Sequence, residues 1–203
     1  MAGRGSIGLI LAIVVLVAAL AAPAANAKGT LLGLNPKCGP TSKPFSQWGD
    51  YRNYTFVPDG GLEEGGRGWT LSGGAKVVSG NEPFFVRSKY DSRSLYLPPG
   101  SYAATPAACM GTFSTFIRFF VKNSPGSSLR VQVSYKGLLG NVVGTLNWAT
   151  VSGSTSWAPS PSILNLQSLL ALLGAKSIQL KLYAVGAPVQ IDDVYVDPWA
   201  SSD

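Results

Sequence analysis

The sequence predicts an all-β protein, an antiparallel β-sandwich with one short helix. Short apolar runs stop at turn residues: residues 54–57 end at Pro-Asp-Gly-Gly, and residues 94–97 end at Pro-Pro-Gly. Two longer segments alternate between apolar and polar residues, as half-buried strands do. None of these segments is followed by an amphipathic stretch of helix length, which argues against a parallel sheet with crossover helices.

The two alternating segments indicate which tyrosines are buried. In residues 129–135 every second side chain is apolar, and Tyr135 shares their phase. Residues 178–184 repeat the pattern, but there Tyr183 is in phase with the polar Lys181. Because successive side chains of a strand point to opposite faces, we expect Tyr135 in the core and Tyr183 on the solvent face.

Residues 163–173 differ from the rest of the chain. They are rich in leucine, contain no β-branched residue after Ile163, and are followed by Gly174, a typical helix C-cap. We expect a helix of about three turns that covers one end of the core. As an alternative role, its leucines, from Leu164 to Leu173, form a contact surface for a protein partner.

The first 27 residues have the layout of a secretory signal peptide. Arg4 precedes an uncharged run at residues 7–22, and an A-x-A pattern ends at Ala27. The 16 residues of this run end at a proline, whereas a spanning helix needs about 20. We therefore expect secretion, to the outside of the cell or to its surface, and no stable membrane span after processing.

Cys38 and Cys109 are the only cysteines, and both lie after the leader. Two cysteines in an oxidising compartment most simply pair, and neither a C-x-x-C motif nor a metal quartet is present. We expect a structural disulfide; the alternative is that the thiols are free. The bond would hold a Gly- and Pro-rich N-terminal arm, residues 28–50, against the sandwich domain, residues 51–203.

The composition argues against most kinds of enzyme. The chain has no histidine, which excludes Ser-His-Asp and Cys-His catalysis. Its 16 basic residues are scattered singly, so there is no cluster of the kind that binds nucleic acid. Glycoside hydrolysis needs two carboxylates in a cleft, and Glu82 with Asp91 is the one isolated pair. We expect a binding protein rather than an enzyme, with a small glycan hydrolase or lyase as the third alternative.

Two motifs add information about the fold. Residues 59–75 read DGGLEEGGRGWTLSGGA, and residues 189–199 read VQIDDVYVDPW. Together they resemble the galactose-binding-like jelly rolls that include several carbohydrate-binding modules, whose first strand reads roughly N-G-x-F-E-x-G-x-x-G-W and whose last reads I-D-D-V. The chain also looks like a group of secreted actinobacterial proteins of undetermined role. Leu62 and Asp59 depart from the usual Phe and Asn. The resemblance implies a jelly roll with its first and last strands side by side.

The second motif breaks its own alternation. Ile191 and Asp193 share a phase, which would place a carboxylate in the core, whereas Val194 has the opposite phase. This predicts either a β-bulge at Asp192 and Asp193 or a buried charge that needs compensation. The resemblance implies a structural Ca²⁺ between the first and last strands, with Glu63 and Asp193 as its ligands by position. Alternatively, the aspartates pair with arginine or accept backbone N–H groups.

A carbohydrate-binding face needs exposed aromatic rings beside a few polar groups. Trp69 follows the glycines of the first motif and is expected in the core. Tyr183 remains a candidate because of its phase, and Trp148 and Trp157 remain because they flank a loop-like Ser/Gly/Thr-rich stretch. The favoured ligand is a carbohydrate of the cell envelope or the environment. The second alternative is a structural or protein-interaction role at the cell surface.

Overall fold

A computed structural model describes residues 38–109, 115–165 and 174–197 of the chain. Within these ranges the one helix is a 3-10 turn at Ser46–Trp48, and no helix there is long and apolar enough to cross a lipid bilayer. The remaining regular structure consists of strands. In chain order they are β1 (Thr41–Ser42), β2 (Tyr54–Phe56), β3 (Thr70–Ser72), β4 (Lys76–Ser79), β5 (Arg93–Leu97), β6 (Tyr102–Ala104), β7 (Ala108–Cys109), β8 (Thr115–Asn123), β9 (Ser128–Lys136), β10 (Val142–Val151), β11 (Ala158–Pro159), β12 (Ile163–Asn165), β13 (Ser177–Val185) and β14 (Val189–Val196).

The strands form two antiparallel sheets. In the first, sheet A, β14 is central: β2 and β5 pair along one of its edges and β8 along the other. β1 and β4 extend this sheet beyond β2 and β5, while β11 and β12 pair with β8. In the second, sheet B, the order is β10–β9–β13–β6–β3, and β7 also pairs with β13. The predicted antiparallel β-sandwich is confirmed.

The main core lies between the two sheets. In β9 and β13 the apolar residues of the alternating pattern are buried and the residues between them are not, as the sequence predicts. Tyr135 is fully buried in this core and Trp69 is 8% exposed, so both are core residues as expected. The Trp69 indole donates a hydrogen bond to the Pro58 carbonyl at 3.1 Å, which satisfies its one polar atom.

A second, aromatic cluster covers the other face of sheet A. Phe119 of β8 belongs to the main core, whereas its neighbour Phe120 packs with Phe45, Tyr54 and Tyr195. Because adjacent residues of a strand point to opposite faces, this cluster lies on the outside of the sheet. One fully buried member of this cluster, Phe45, comes from the N-terminal arm and not from a strand. The described part of the arm is thus packed onto sheet A.

The disulfide prediction is confirmed. Cys38, at the start of the described arm, is bonded to Cys109 of β7, and their Cα atoms are 5.3 Å apart. This Cα separation is typical of a disulfide. The bond joins the arm to sheet B, while Phe45 packs the same arm on sheet A.

The helix prediction is wrong at its start. Ile163–Asn165 forms strand β12, in which Ile163 pairs with Ile117 and Leu164 pairs with Phe116. Ile163 is 6% exposed and belongs to the main core. Pairing with β8 and burial of this side chain override the helix propensity of the residues that follow. Residues 166–173 lie outside the described ranges, so the rest of the helix and its leucine surface stay predictions.

Candidate functional site

The outer face of sheet B is a continuous grid of polar and aromatic side chains, named here the sheet B face. Register places Tyr183 of β13 between Tyr102 of β6 and Arg130 of β9. In the next row Lys181 lies opposite Gln132. All of these side chains are exposed or half-buried, whereas their strand neighbours point into the core. The face is defined by Tyr102, Arg130, Gln132, Ser134, Lys136, Thr145, Asn147, Gln179, Lys181 and Tyr183.

Two tyrosine rings form the aromatic part of this face. The ring centroids of Tyr102 and Tyr183 are 5.4 Å apart, with 45° between the ring planes. The Lys181 ammonium lies 3.8 Å from the centroid of Tyr102 and 5.0 Å from that of Tyr183. The Arg130 guanidinium is 5.9 Å from the centroid of the Tyr183 ring. The rings are therefore bordered by two cations, both within the range of a cation–π interaction.

Beside the rings lie amide and hydroxyl groups. The Gln132 side chain donates to Asn147 Oδ1 at 2.8 Å, and the hydroxyls of Ser134 and Thr145 are 3.2 Å apart. Each of these groups keeps further hydrogen-bonding capacity, since an amide carries two donor hydrogens and an acceptor oxygen. The pairs hold their side chains in place across β9 and β10, so the face presents polar groups at fixed positions.

The three predicted ligand-binding aromatics lie in different places. Tyr183 is on the sheet B face, as its phase predicted. Trp157 is half-buried and packs against the aromatic cluster of sheet A, so it is not beside Tyr183. The Ser/Gly/Thr-rich sequence beside Trp157 gave no indication that its ring would pack on the aromatic cluster of sheet A. Trp148 lies in β10 next to a register shift, and its side chain is outside the described part of the chain.

Tyr102 was missed by the sequence reasoning. It begins β6, a strand of three residues that follows Pro-Pro-Gly-Ser and reads Tyr-Ala-Ala. Three residues are too few to establish an alternating phase, and two alanines give no contrast between faces. The usable signal is the turn before it, which marks the start of a new strand.

The second predicted site lies at the bulge of β14. The register of β14 against β8 shifts between Asp192 and Tyr195, and Asp193 has a φ of 46°. Both aspartates are fully buried. The sequence offered a bulge or an inward carboxylate as alternatives, and the structure has both. The left-handed backbone at Asp193 turns its side chain out of the regular ladder, toward the first motif.

The first motif lies directly beside this bulge. Val194 N–H donates to the Gly60 carbonyl at 3.1 Å, and a Cβ placed on Gly61 would lie 2.8 Å from Asp193 Oδ1. Glu63 accepts hydrogen bonds from the backbone N–H groups of Ser92 and Arg93, both at 2.7 Å. The two motifs are therefore adjacent, and Glu63 is held by the start of β5.

The two aspartates differ in their hydrogen bonds, although burial raises the pKa of both. Asp192 accepts backbone N–H groups from Glu82 at 3.0 Å and from Asp193 at 2.8 Å. Within the described ranges neither carboxylate oxygen of Asp193 has a hydrogen-bond partner. Burial raises the pKa of Asp193 to about 7, and the negative charges of Glu82 and Asp91 add to the effect. The positive charge of Arg87 acts in the opposite direction.

Of the two residues predicted to bind Ca²⁺, Asp193 fits the ion, whereas Glu63 with its present hydrogen bonds does not. A buried carboxylate with two unpartnered oxygens is the hard oxygen ligand that Ca²⁺ prefers, so Asp193 fits. Glu63 is close enough for its charge to raise the pKa of Asp193, but its Oε1 accepts two backbone N–H groups and its Oε2 accepts the Ser92 hydroxyl. Among the described residues no three acidic or cysteine side chains are grouped closely enough to hold a metal ion as they stand.

The carboxylate pair considered for hydrolysis serves the local fold. Glu82 is fully buried and accepts the backbone N–H groups of Phe84 and Val86. Asp91 is 8% exposed and lies 3.7 Å from Arg87. Glu82 thus shapes the loop before β5, and it has no exposed surface from which to reach a substrate.

No protein-family model matches the sequence, and no curated protein does. Solved structures share its fold. The enzymatically active domain of tailspike protein 4 from bacteriophage CBA120 aligns with a TM-score of 0.51 at 16% identity, covering 69% of this chain and 21% of that chain. This chain therefore spans well under half of the phage protein.

Two carbohydrate-binding modules also align. The CBM22-1 xylan-binding domain of Paenibacillus barcinonensis Xyn10C gives a TM-score of 0.46 at 16% identity, covering 70% of this chain and 93% of the module. TmCBM61, solved with β-1,4-galactotriose, gives 0.46 at 18% identity, covering 70% and 96%. The alignment with the phage domain shows a shared fold, and the two antiparallel sheets are seen in the strand pairing of this chain itself.

Proposed function

We propose that this protein binds carbohydrate without transforming it, and that it does so through the sheet B face. The observation that carries the proposal is the pair of tyrosine rings, Tyr102 and Tyr183, with centroids 5.4 Å apart. Neighbouring strands hold these rings in register, so they are positioned before a ligand arrives. A preformed aromatic surface loses little conformational freedom on binding.

The chemistry of the face suits a sugar. The C–H faces of a pyranose pack on aromatic rings, and its hydroxyls need donors and acceptors placed beside them. Gln132 and Asn147 supply both, one row away from the rings. Lys181 and Arg130 supply further donors, 3.8 Å from the Tyr102 centroid and 5.9 Å from the Tyr183 centroid respectively.

We propose that binding takes place outside the cell, with a carbohydrate of the envelope or the environment as ligand. The Cys38–Cys109 disulfide supports this location, because disulfides persist in oxidising compartments and are rare in the cytosol. The signal-peptide layout of the first 27 residues supports it independently.

Retention on polysaccharides tests the function. The full chain is run through native gels that contain xylan, galactan, β-glucan or an acidic glycan, and Kd is taken from the retardation. We expect retardation by at least one glycan, and about tenfold weaker binding for Tyr183→Ala and for Tyr102→Ala, because each ring is a central contact. Tyr90→Ala is the matched control, since Tyr90 is 79% exposed and is not on the sheet B face.

Two results would contradict the proposal. One is the absence of retardation by every glycan in the panel. The other is retardation that Tyr90→Ala weakens as much as Tyr183→Ala does, with both variants folded by thermal unfolding. Trp157→Ala should lower the melting temperature and leave Kd unchanged, because Trp157 packs on the aromatic cluster of sheet A.

We further propose a structural Ca²⁺ bound by Asp193; Glu63 of the first motif would join it as a ligand only by giving up its hydrogen bonds from Ser92 and Arg93. Support comes from the unpartnered, fully buried carboxylate of Asp193 and from the nearby charge of Glu63. When bound, the ion would neutralise the buried charge and join the first motif to β14. The competing arrangement is one in which Arg87 alone supplies the compensating charge.

A further inference from the structure

We propose that the ligand of the sheet B face is an acidic polysaccharide, one whose pyranose units carry carboxylates. This inference rests on the proposed carbohydrate-binding function and names its ligand class. It stands on the distribution of charge over the two sheets and on the position of Lys181 above the tyrosine rings.

The sheet B face carries positive charge without any negative charge among its strands. Arg130, Lys136 and Lys181 point outward from β9 and β13. No strand of sheet B contains an aspartate or a glutamate. Within the described ranges none of these three cations forms an ion pair; the ion pairs found there belong to Arg52, Arg67, Arg87 and Arg118, none of which lies on a strand of sheet B. The face therefore offers unneutralised cations to a ligand.

The cations lie where a charged sugar would need them. Arg130 is directly opposite Tyr183 in the antiparallel register, and Lys181 is two residues before Tyr183 on the same strand. Adjacent strands are about 4.8 Å apart, so both cations lie within reach of a pyranose stacked on Tyr183. A guanidinium can donate two parallel hydrogen bonds to a carboxylate, which makes Arg130 the stronger of the two contacts.

Lys181 also discriminates against neutral sugars. Its ammonium is 3.8 Å from the centroid of the Tyr102 ring and so covers part of the surface on which a sugar would stack. A neutral sugar has to displace the ammonium and offers it no counter-charge. A carboxylate draws the ammonium off the ring into an ion pair, so the stacking surface is freed as the charge is neutralised.

The experiment uses the full chain in native gels that contain polygalacturonate, alginate or neutral galactan. We expect polygalacturonate or alginate to bind at least tenfold more tightly than galactan, and to lose that advantage as NaCl is added. Lys181→Gln and Arg130→Gln should each weaken binding to the acidic glycan several-fold. Lys122→Gln is the matched control: it removes the same charge from an exposed lysine on β8 of sheet A and should leave Kd unchanged.

Two further acidic polymers, neither of which contains a pyranose ring, serve as controls for the effect of charge alone. Polyglutamate and oligo-dT carry negative charge, and each should bind at least tenfold more weakly than the acidic glycan. Equal binding to either would overturn the inference, because charge alone would then explain retention. Equal or tighter binding to galactan, lost in Tyr183→Ala, would overturn the acidic ligand class and leave the carbohydrate function standing. Retention by no glycan would remove both.

Discussion

The Arg118 guanidinium donates a hydrogen bond to Asp50 Oδ2 at 2.9 Å and thereby joins the N-terminal arm to strand β8. Arg118 also donates twice to the Ser160 carbonyl, at 3.1 and 2.7 Å, and its guanidinium lies 4.4 Å from the centroid of the Phe45 ring. This one side chain therefore connects the arm, β8 and the segment after β11. Because the arm lies over the aromatic cluster on the outside of sheet A, that part of the sheet is closed to a ligand.

Loss of Arg118 should destabilise the fold strongly. Arg118→Met leaves the Asp50 carboxylate buried beside Tyr54 with one partner fewer, and removing one member of a buried ion pair costs about 3–5 kcal/mol. Urea unfolding measures the difference. The control is Arg67→Met, which removes an exposed pair with Glu64 and should cost less than about 1 kcal/mol. Equal losses in the two variants would contradict this account of Arg118.

Asp50 should also make stability depend on pH in acid. Burial raises the pKa of Asp50, but hydrogen bonds from Tyr54 and Arg118 outweigh it, so the folded pKa lies below the ordinary value of 3.8. A carboxyl with a depressed folded pKa contributes stability above its unfolded pKa and loses it as pH falls through the folded one. The free energy of unfolding should therefore fall more steeply below pH 3.8 for the natural chain than for Asp50→Asn. Parallel curves would show that Asp50 does not titrate in this way.

The contact between the two motifs predicts a specific effect at a glycine. A Cβ on Gly60 would lie 2.7 Å from the Val194 carbonyl oxygen and 3.0 Å from that of Val57, and both are backbone atoms that cannot rotate away. Gly60→Ala should therefore destabilise the fold by about 1–3 kcal/mol. Gly39→Ala is the control, since nothing lies within 4 Å of its Cβ position. Denaturant midpoints that shift equally would argue that the motifs are not in contact.

Removing the disulfide should weaken the fold without altering the sheet B face. Cys38 and Cys109 are 71 residues apart in sequence. A bond closing a loop of that length stabilises by about 4 kcal/mol in the chain-entropy account. The Cys38→Ser, Cys109→Ser double variant should unfold at lower urea, and the natural chain in reductant should match it. Unchanged stability in both samples would refute a structural role for the bond.

The parts of the molecule that sequence could predict are those set by long strands. In the nine residues of β13 the alternation is repeated often enough to assign Tyr183 to the solvent face. β6 has three residues, so the phase of Tyr102 could not be read before its pairing with β13 was known. The position of Trp157 depends on the aromatic cluster of sheet A, whose buried members lie far away in sequence. The phase of a short strand and the packing of a second hydrophobic cluster depend on tertiary contacts, and these leave little signal in the local sequence.

The motif at β14 shows a different limit. The broken alternation at Asp192 and Asp193 correctly indicated an irregularity, because a period of two cannot change phase without an extra residue. It could not indicate which aspartate would receive backbone N–H groups. That outcome follows from the loop around Glu82, whose backbone N–H reaches Asp192 across 110 residues of sequence.

The two ways of compensating the buried charge of Asp193, by a bound Ca²⁺ or by Arg87, lead to different predictions. If Ca²⁺ compensates the buried carboxylate, saturating CaCl₂ should raise the melting temperature of protein stripped with EDTA, since a ligand at 100 times its Kd adds about 2.7 kcal/mol. Asp193→Asn should abolish that response. Glu64→Gln should keep it, because Glu64 belongs to the same motif but its side chain is 62% exposed and paired with Arg67. If melting temperatures in EDTA and in CaCl₂ are identical for the natural chain, the calcium proposal fails. In that case Arg87→Gln should destabilise the fold, because Arg87 is the only positive charge among the groups that influence the pKa of Asp193.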